Sequence, residues 1–476
     1  MSRRIAQGLV LSALAFAVLT GCEGAVNDDE NFIVLTFRAS LAPSGSELTG
    51  PSDRPKITPD GRYVVFQTRA ANLLPGDTNG RIDIYRKDLN TGSVARVTVE
   101  LKGPDPTPDG NPNEDCTNPT ITPDGRFVIF ESSAEDLVDG DGNGNTDIFI
   151  RDMNLTVFDP LSPSFTVPPI TRVSVNTTGG DPNSISFHGS VSDDGRYVVF
   201  QSFADNLVAG DTNFGSDIFV RDTLFNITIR VNTDVSGNEA DAFSFSSNPV
   251  ISGDGSTVAF DSDASNLVTT DFNGFRDVFV KRWLAVIPDV TRVSVEGPAD
   301  DDGDLDGDEF DLDNANGESG SPSLSETGRF VAFVTDATDL IRGDSGLAAD
   351  VYIRDVLLGV SRRCSVTTLG GEASQASNEP QVSRDGRWVV FQSNTPDLVQ
   401  GDTNNAEDIF LRDTVSNITI RISVATYGVE SSPFFPNRNP SITGDGRFVA
   451  FASLASNLAP NDTNGANDIY IRGPLY

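Results

Sequence analysis

An apolar run, unbroken rather than alternating, recurs along the chain: Tyr63-Val64-Val65-Phe66, Phe127-Val128-Ile129-Phe130 and Trp388-Val389-Val390-Phe391 are three copies. A strand without a polar face has to be covered on both sides. Ahead of each run stands a short Pro-led strand and a Ser/Thr-x-Asp-Gly-Arg turn, and behind it a polar loop and Asp-Ile-Phe-Val-Arg-Asp or a variant. The turn glycines are Gly61, Gly125, Gly195, Gly255, Gly328, Gly386 and Gly446, spaced 58 to 73 residues apart. The pattern therefore repeats seven times, which predicts one repeat architecture rather than independent domains.

Each repeat carries four strand signals. In the first they fall at 55–58, 63–68, 83–87 and 95–99, here strands A to D. Gly61 supplies the positive φ that the tight A–B hairpin needs. Four-stranded antiparallel sheets covered on both faces by copies of themselves make a β-propeller, whose ring leaves only short edges. The seventh copy ends at Ile471-Arg472-Gly473 without the last strand that others have as Arg172-Val173-Ser174-Val175 or Arg421-Ile422-Ser423-Val424. Residues 33–41, with Arg38-Ala39-Ser40-Leu41 in the same frame, are expected to supply it. The prediction is an all-β, seven-bladed propeller over residues 32–476, closed by its N-terminal strand.

Ser-x-Asp-Gly-Arg-x-Val-x-Phe-x-Ser and Asp-Ile-Phe/Tyr-x-x-Asp resemble the TolB-type propeller repeat over residues 32–476. The resemblance implies the fold and leaves the function open. TolB itself has six blades behind an α/β domain, and the propeller-bearing prolyl peptidases carry a hydrolase domain, neither of which is matched here. Nor is there a Gly-x-Ser-x-Gly nucleophile motif.

Composition narrows the function. The 476 residues include 69 acidic against 34 basic ones, a net charge of -35, which argues against nucleic acid and against docking on anionic lipid. A single His excludes His-rich zinc sites and disfavours a Ser-His-Asp hydrolase. Arg3 and Arg4 followed by an apolar run to Leu19 read as an export signal. Leu19-Thr20-Gly21-Cys22 resembles a bacterial lipobox, which implies cleavage after residue 21, acylation of Cys22 and a tether over 22–31. Glu23 after the Cys resembles outer-membrane sorting. No bridge is expected between Cys116 and Cys364, which lie several repeats apart.

The B–C loops repeat an Asp, Asn, Asp set: Asp77, Asn79 and Asp83; Asp141, Asn143 and Asp147; Asp211, Asn213 and Asp217; Asp271, Asn273 and Asp277; Asp402, Asn404 and Asp408; Asp462, Asn464 and Asp468. The fifth repeat keeps Asp344 and Asp350. Oxygens at positions one, three and seven around a turn resemble part of a calcium loop, and the same residues also suit Asx turns that bond only backbone. Asp302, Asp304, Asp306, Asp308 and Asp313 resemble an EF-hand loop that ends in Asp instead of Glu. Ca²⁺ is the cofactor that the calcium-loop reading supplies, and on the turn reading there is none. At the top of strand A the repeats place Arg54, Asn118, His188, Asn248, Ser321, Glu379 and Asn439 around the channel mouth.

No catalytic constellation stands out from this set. The reading is a lipid-anchored, non-enzymatic propeller of the cell envelope that binds a protein or glycan on its top face, with no nucleic acid and only the lipid anchor in the membrane. The alternative is a propeller enzyme, a lyase or hydrolase acting on polysaccharide or lactone, with a metal in its channel.

Overall fold

The computed structural model describes residues 33–99, 110–154, 170–286, 289–295, 314–341, 344–346 and 348–476. Among them are 28 strands and no helix, arranged as seven four-stranded antiparallel sheets. Blade one runs Ser52–Ile57, Tyr63–Thr68, Asp83–Asp88 and Val94–Arg96 from the channel outward. Strand A begins three residues ahead of the expected start, because its first half, Ser-Asp-Arg, faces the channel and carries no apolar signal. The last blade is completed by Leu35–Arg38, which pairs antiparallel with Asp468–Gly473, so the N-terminal strand closes the ring.

The doubly covered strand B explains the packing. Val64 and Phe66 face blade seven and join Ala450, Ala452, Ile469 and Ile471 in one core, whereas Val65 faces blade two and joins Val128, Phe130 and Phe149 in the next. Alternate residues of one strand thus serve two cores, and a run of four apolar residues is what that demands. Beneath the ring, the glycine of each Asp-Gly-Arg turn meets the preceding blade. A Cβ on Gly125, at φ +73°, would stand 2.3 Å from the Tyr63 ring. The turn arginine then reaches back to the end of strand C in its own blade, as Arg126 does to Asp152 at 2.7 Å. Cys116 and Cys364 are buried free thiols.

Candidate active site at the channel mouth

The strand-A residues predicted for the channel mouth share one backbone feature. Arg54, Asn118, His188, Asn248, Ser321, Glu379 and Asn439 all have φ between 50° and 55°, in the left-handed region. In every blade the A–B register slips there, from Asp53 to Lys56 in blade one and from Phe187 to Ser190 in blade three. These are β-bulges, which turn the side chain out of the pleat. The residue after the bulge is Pro55, Pro119, Pro249, Pro322, Pro380 or Pro440, or Gly189 in blade three. Proline has no N–H to lose from the ladder, so it is tolerated at such a break. Asn accepts this conformation readily, but Arg54, His188, Ser321 and Glu379 occupy it at a cost of about 1–2 kcal/mol each. Strain of that kind gathers at functional sites.

Polar side chains of strands A and B hold the bulges. Glu131 accepts Asn118 Nδ2 and the His188 backbone N–H, both at 2.6 Å. Gln67 accepts the Asn118 N–H at 3.0 Å. The fully buried Asp261 accepts Ser247 Oγ at 2.6 Å, Asn248 Nδ2 and Arg276 Nη1 at 2.8 Å, and the Ser321 N–H at 3.1 Å. Asn439 donates its N–H to Glu379 at 3.1 Å and its Nδ2 to Asp53 at 2.8 Å. His188 Nδ1 is 3.3 Å from Gln201 Oε1, and its ring stands edge-on to Phe187.

Two groups at this mouth are pushed toward neutrality from opposite sides. Burial lowers the Lys56 amine, with Glu379 opposing and Arg54 adding to the fall. Burial raises the Glu131 carboxyl, against the hydrogen bonds of Asn118 and the His188 N–H and the charges of His188 and Arg54. Arg54 therefore lies within electrostatic range of both. Neither Lys56 nor Glu131, nor Asp261, was among the sequence candidates. The signal was present in the repeat frame: where Lys56 stands, other blades have Thr120, Ser190, Val250, Ser323, Gln381 and Ser441. Likewise Glu131 and Asp261 replace the Gln67, Gln201 and Gln392 of their neighbours.

The aspartate loops are organised around an arginine. In blade four, Arg292 Nη1 from strand D lies 3.1 Å from Asp271 and 3.3 Å from Asp277. Ser294 Oγ donates to Asp277 at 2.5 Å and Asn273 Nδ2 donates to it at 3.1 Å. Arg172 joins Asp141 and Asp147, Arg230 joins Asp211 and Asp217, Arg421 joins Asp402 and Asp408, and Arg38 joins Asp462 and Asp468. In blade one Arg96 takes Asp83 while Tyr85 donates to Asp77. A guanidinium thus stands where the loop oxygens would gather a cation. The oxygens of Asn79, Asn143, Asn213, Asn273, Asn404 and Asn464 accept the backbone N–H two residues on, the turn chemistry of an Asx motif.

One acidic group among the described residues has the spacing to hold a metal: Asp344, Asp350 and Glu372, whose oxygens lie within 4.8 Å of one another. Arg363 reaches this group too, 3.0 Å from Asp344 and 3.2 Å from Asp350. It belongs to the outer loops of blade five rather than to the channel. The EF-hand-like segment with Asp302, Asp304, Asp306, Asp308 and Asp313 lies outside the described residues, as does Cys22.

No family model matches the sequence. In fold the chain is a seven-bladed β-propeller, and TolB proteins are among the solved structures similar to it. TolB from Acinetobacter baumannii is 16% identical with a TM-score of 0.37, over 79% of this chain and 64% of that one. An oligogalacturonate lyase in complex with manganese is 13% identical with a TM-score of 0.48, over 92% of this chain and 93% of that one. Among curated proteins, Dipeptidyl-peptidase 5 of Porphyromonas endodontalis is 30% identical over 105 residues, which are 22% of this chain and 13% of that protein. The expectation of a chain without enzymatic activity is corrected by the curated match, which is to a peptidase.

Proposed function

We propose that the protein is an exported enzyme that cleaves a uronate-bearing polysaccharide at the upper mouth of its channel. The observation that carries this reading is a lowered amine, Lys56, and a raised carboxyl, Glu131, each within electrostatic range of Arg54. An acid and a base tuned toward the working pH are what proton-transfer catalysis needs. In the reaction, neutral Lys56 takes the proton from the carbon beside the uronate carboxylate. The electron pair forms a C=C bond as the C–O bond to the leaving sugar breaks, and protonated Glu131 gives its proton to the departing oxygen. Arg54 pairs with the carboxylate on which negative charge develops. The other expected occupant of the top face, a protein, lacks this use for an acid and a base.

The test is the ultraviolet absorbance of the new double bond when the protein is mixed with polygalacturonate and other polyuronates. Lys56→Met is expected to lower kcat/KM about a hundredfold or more. In the wild type, kcat/KM should rise with pH as Lys56 loses its proton and fall as Glu131 loses its own. Absence of unsaturated product from every polyuronate overturns the reading.

The proposal also places the protein in the envelope, anchored through acylated Cys22. Palmitate label on the wild type that is lost in Cys22→Ser is the expected result, and an unlabelled wild type overturns the anchor.

A further inference from the structure

We infer that a ledge of phenylalanines on blades three and four is a sugar-stacking subsite leading into the channel mouth. From His188 the rings of Phe187, Phe203 and Phe245 follow one another, with successive centroids 4.9, 6.0 and 6.1 Å apart. Phe203 is 38% and Phe245 42% exposed. The repeat frame gives an internal control on whether the fold needs them. Other blades hold Asp53, Thr117 or Ser247 in place of Phe187, Arg69, Ser133 or Asp263 in place of Phe203, and Pro51, Asp115 or Glu318 in place of Phe245. No other repeat puts an aromatic residue at any of the three positions.

A second observation comes from strain. Phe214 and Phe243 stack at 5.8 Å and are 75% and 70% exposed, with φ of 61° and 65°. A bulky residue in that region is an outlier. Phe214 takes the turn position that Gly80, Gly144, Gly274 and Gly465 fill in other blades. Phe243 belongs to a D–A loop two residues longer, from Glu239 to Ser246, than the one from Glu372 to Ser377. That loop lies so close that a Cβ on Gly215 would fall on the Ser244 carbonyl. Local structure is thus bent to present two exposed rings, Phe243 on the loop that carries Phe245 and Phe214 on the loop beside it.

The occupant we assign is a pyranose chain. Sugar rings offer apolar C–H faces to aromatic rings and hydroxyls to their surroundings, and here the ring row is bordered by Asp263, which accepts the Phe245 N–H at 2.6 Å. The row ends at His188, beside Glu131, so a chain lying on it would deliver its end to the proposed acid. The assignment deepens the polysaccharide reading and rests on it for substrate class.

The experiment is affinity electrophoresis in gels holding polygalacturonate or an uncharged β-glucan, in a Lys56→Met background so that no cleavage interferes. Retardation by one of them is expected, with the Phe203→Ala/Phe245→Ala double variant losing about tenfold in affinity. Phe214→Gly should also weaken retardation while raising the unfolding temperature, a combination that a structural role for Phe214 does not give. Equal retardation of all variants, or none with either polysaccharide, overturns the ledge. Retardation without any wild-type cleavage would instead overturn the proposed chemistry and leave the ledge standing.

Discussion

A chain lacking residues 33–41 unfolds at a lower temperature than the intact protein and self-associates. The deleted strand holds its neighbours in three ways. Its backbone pairs with Asp468–Gly473, which without it becomes an open edge able to pair with another molecule. Thr36 Oγ donates to the Val424 carbonyl at 2.6 Å and accepts Arg472 Nη1 at 2.7 Å, tying blade six to blade seven. Arg38 is the guanidinium between Asp462 and Asp468, and Ser40 donates to Asp468 at 2.5 Å. The deletion leaves those two buried carboxylates without their cation, and breaking a buried pair from one side costs about 3–5 kcal/mol. Loss of the buried Ala39 and the packed Phe37 adds to that. Calorimetry and size-exclusion chromatography read the two effects, and a synthetic peptide of residues 33–41 added in trans should restore both. An unchanged melting temperature would mean that blade seven stands on three strands.

The part of this architecture that a sequence can carry is the part that repeats. Tyr63–Thr68 matches the expected strand B residue for residue, since a doubly buried strand announces itself by an unbroken apolar run, here Tyr63 to Phe66. The first half of strand A does not, because Asp53 and Arg54 look like loop until the bulge and the channel are known. The strand-D arginines recur at one position of the repeat, but nothing in the sequence gives their destination. Arg292 and Asp271 are 21 positions apart and meet only once the blade has folded. The candidate acid and base are further removed. Lys56 and Glu131 lie on different blades, 75 positions apart, and their shifts arise from burial within the assembled ring. What the sequence did hold was their departure from the repeat, the one Lys among uncharged residues and a Glu where three other blades have Gln.

Replacing Arg292 with Met should destabilise the protein by about 3–5 kcal/mol at pH 7, read from urea unfolding. Arg292 is only 5% exposed and stands between Asp271 and Asp277, which are no more exposed than it is. One cation between two carboxylates leaves a net negative charge, and burial together with Asp277 holds the Asp271 pKa up at about 6. Asp147, Asp350 and Asp402 are raised to about 6 in the same way, burial being the first cause. For an acid raised above its unfolded value near 3.8, the native state binds more protons across the window between the two. Stability of the wild type therefore increases as pH falls from about 7 toward 5, by about 1.4 kcal/mol per pH unit for each proton taken up. The opposite sign belongs to Asp222 and Asp355, which their arginines and backbone N–H groups lower, and whose stabilisation is lost only as pH falls below the ordinary carboxylate range. The two sets place the optimum near pH 4, where the raised acids have taken up their protons and the lowered ones begin to. Relief of the overall -35 charge acts in the same direction, but salt screens it, whereas the buried knots are screened much less. In high salt the rise should persist in the wild type and steepen in Arg292→Met, where both carboxylates need protons. A wild type that loses stability steadily from pH 7 to 5 would mean that each arginine keeps both of its aspartates ionised.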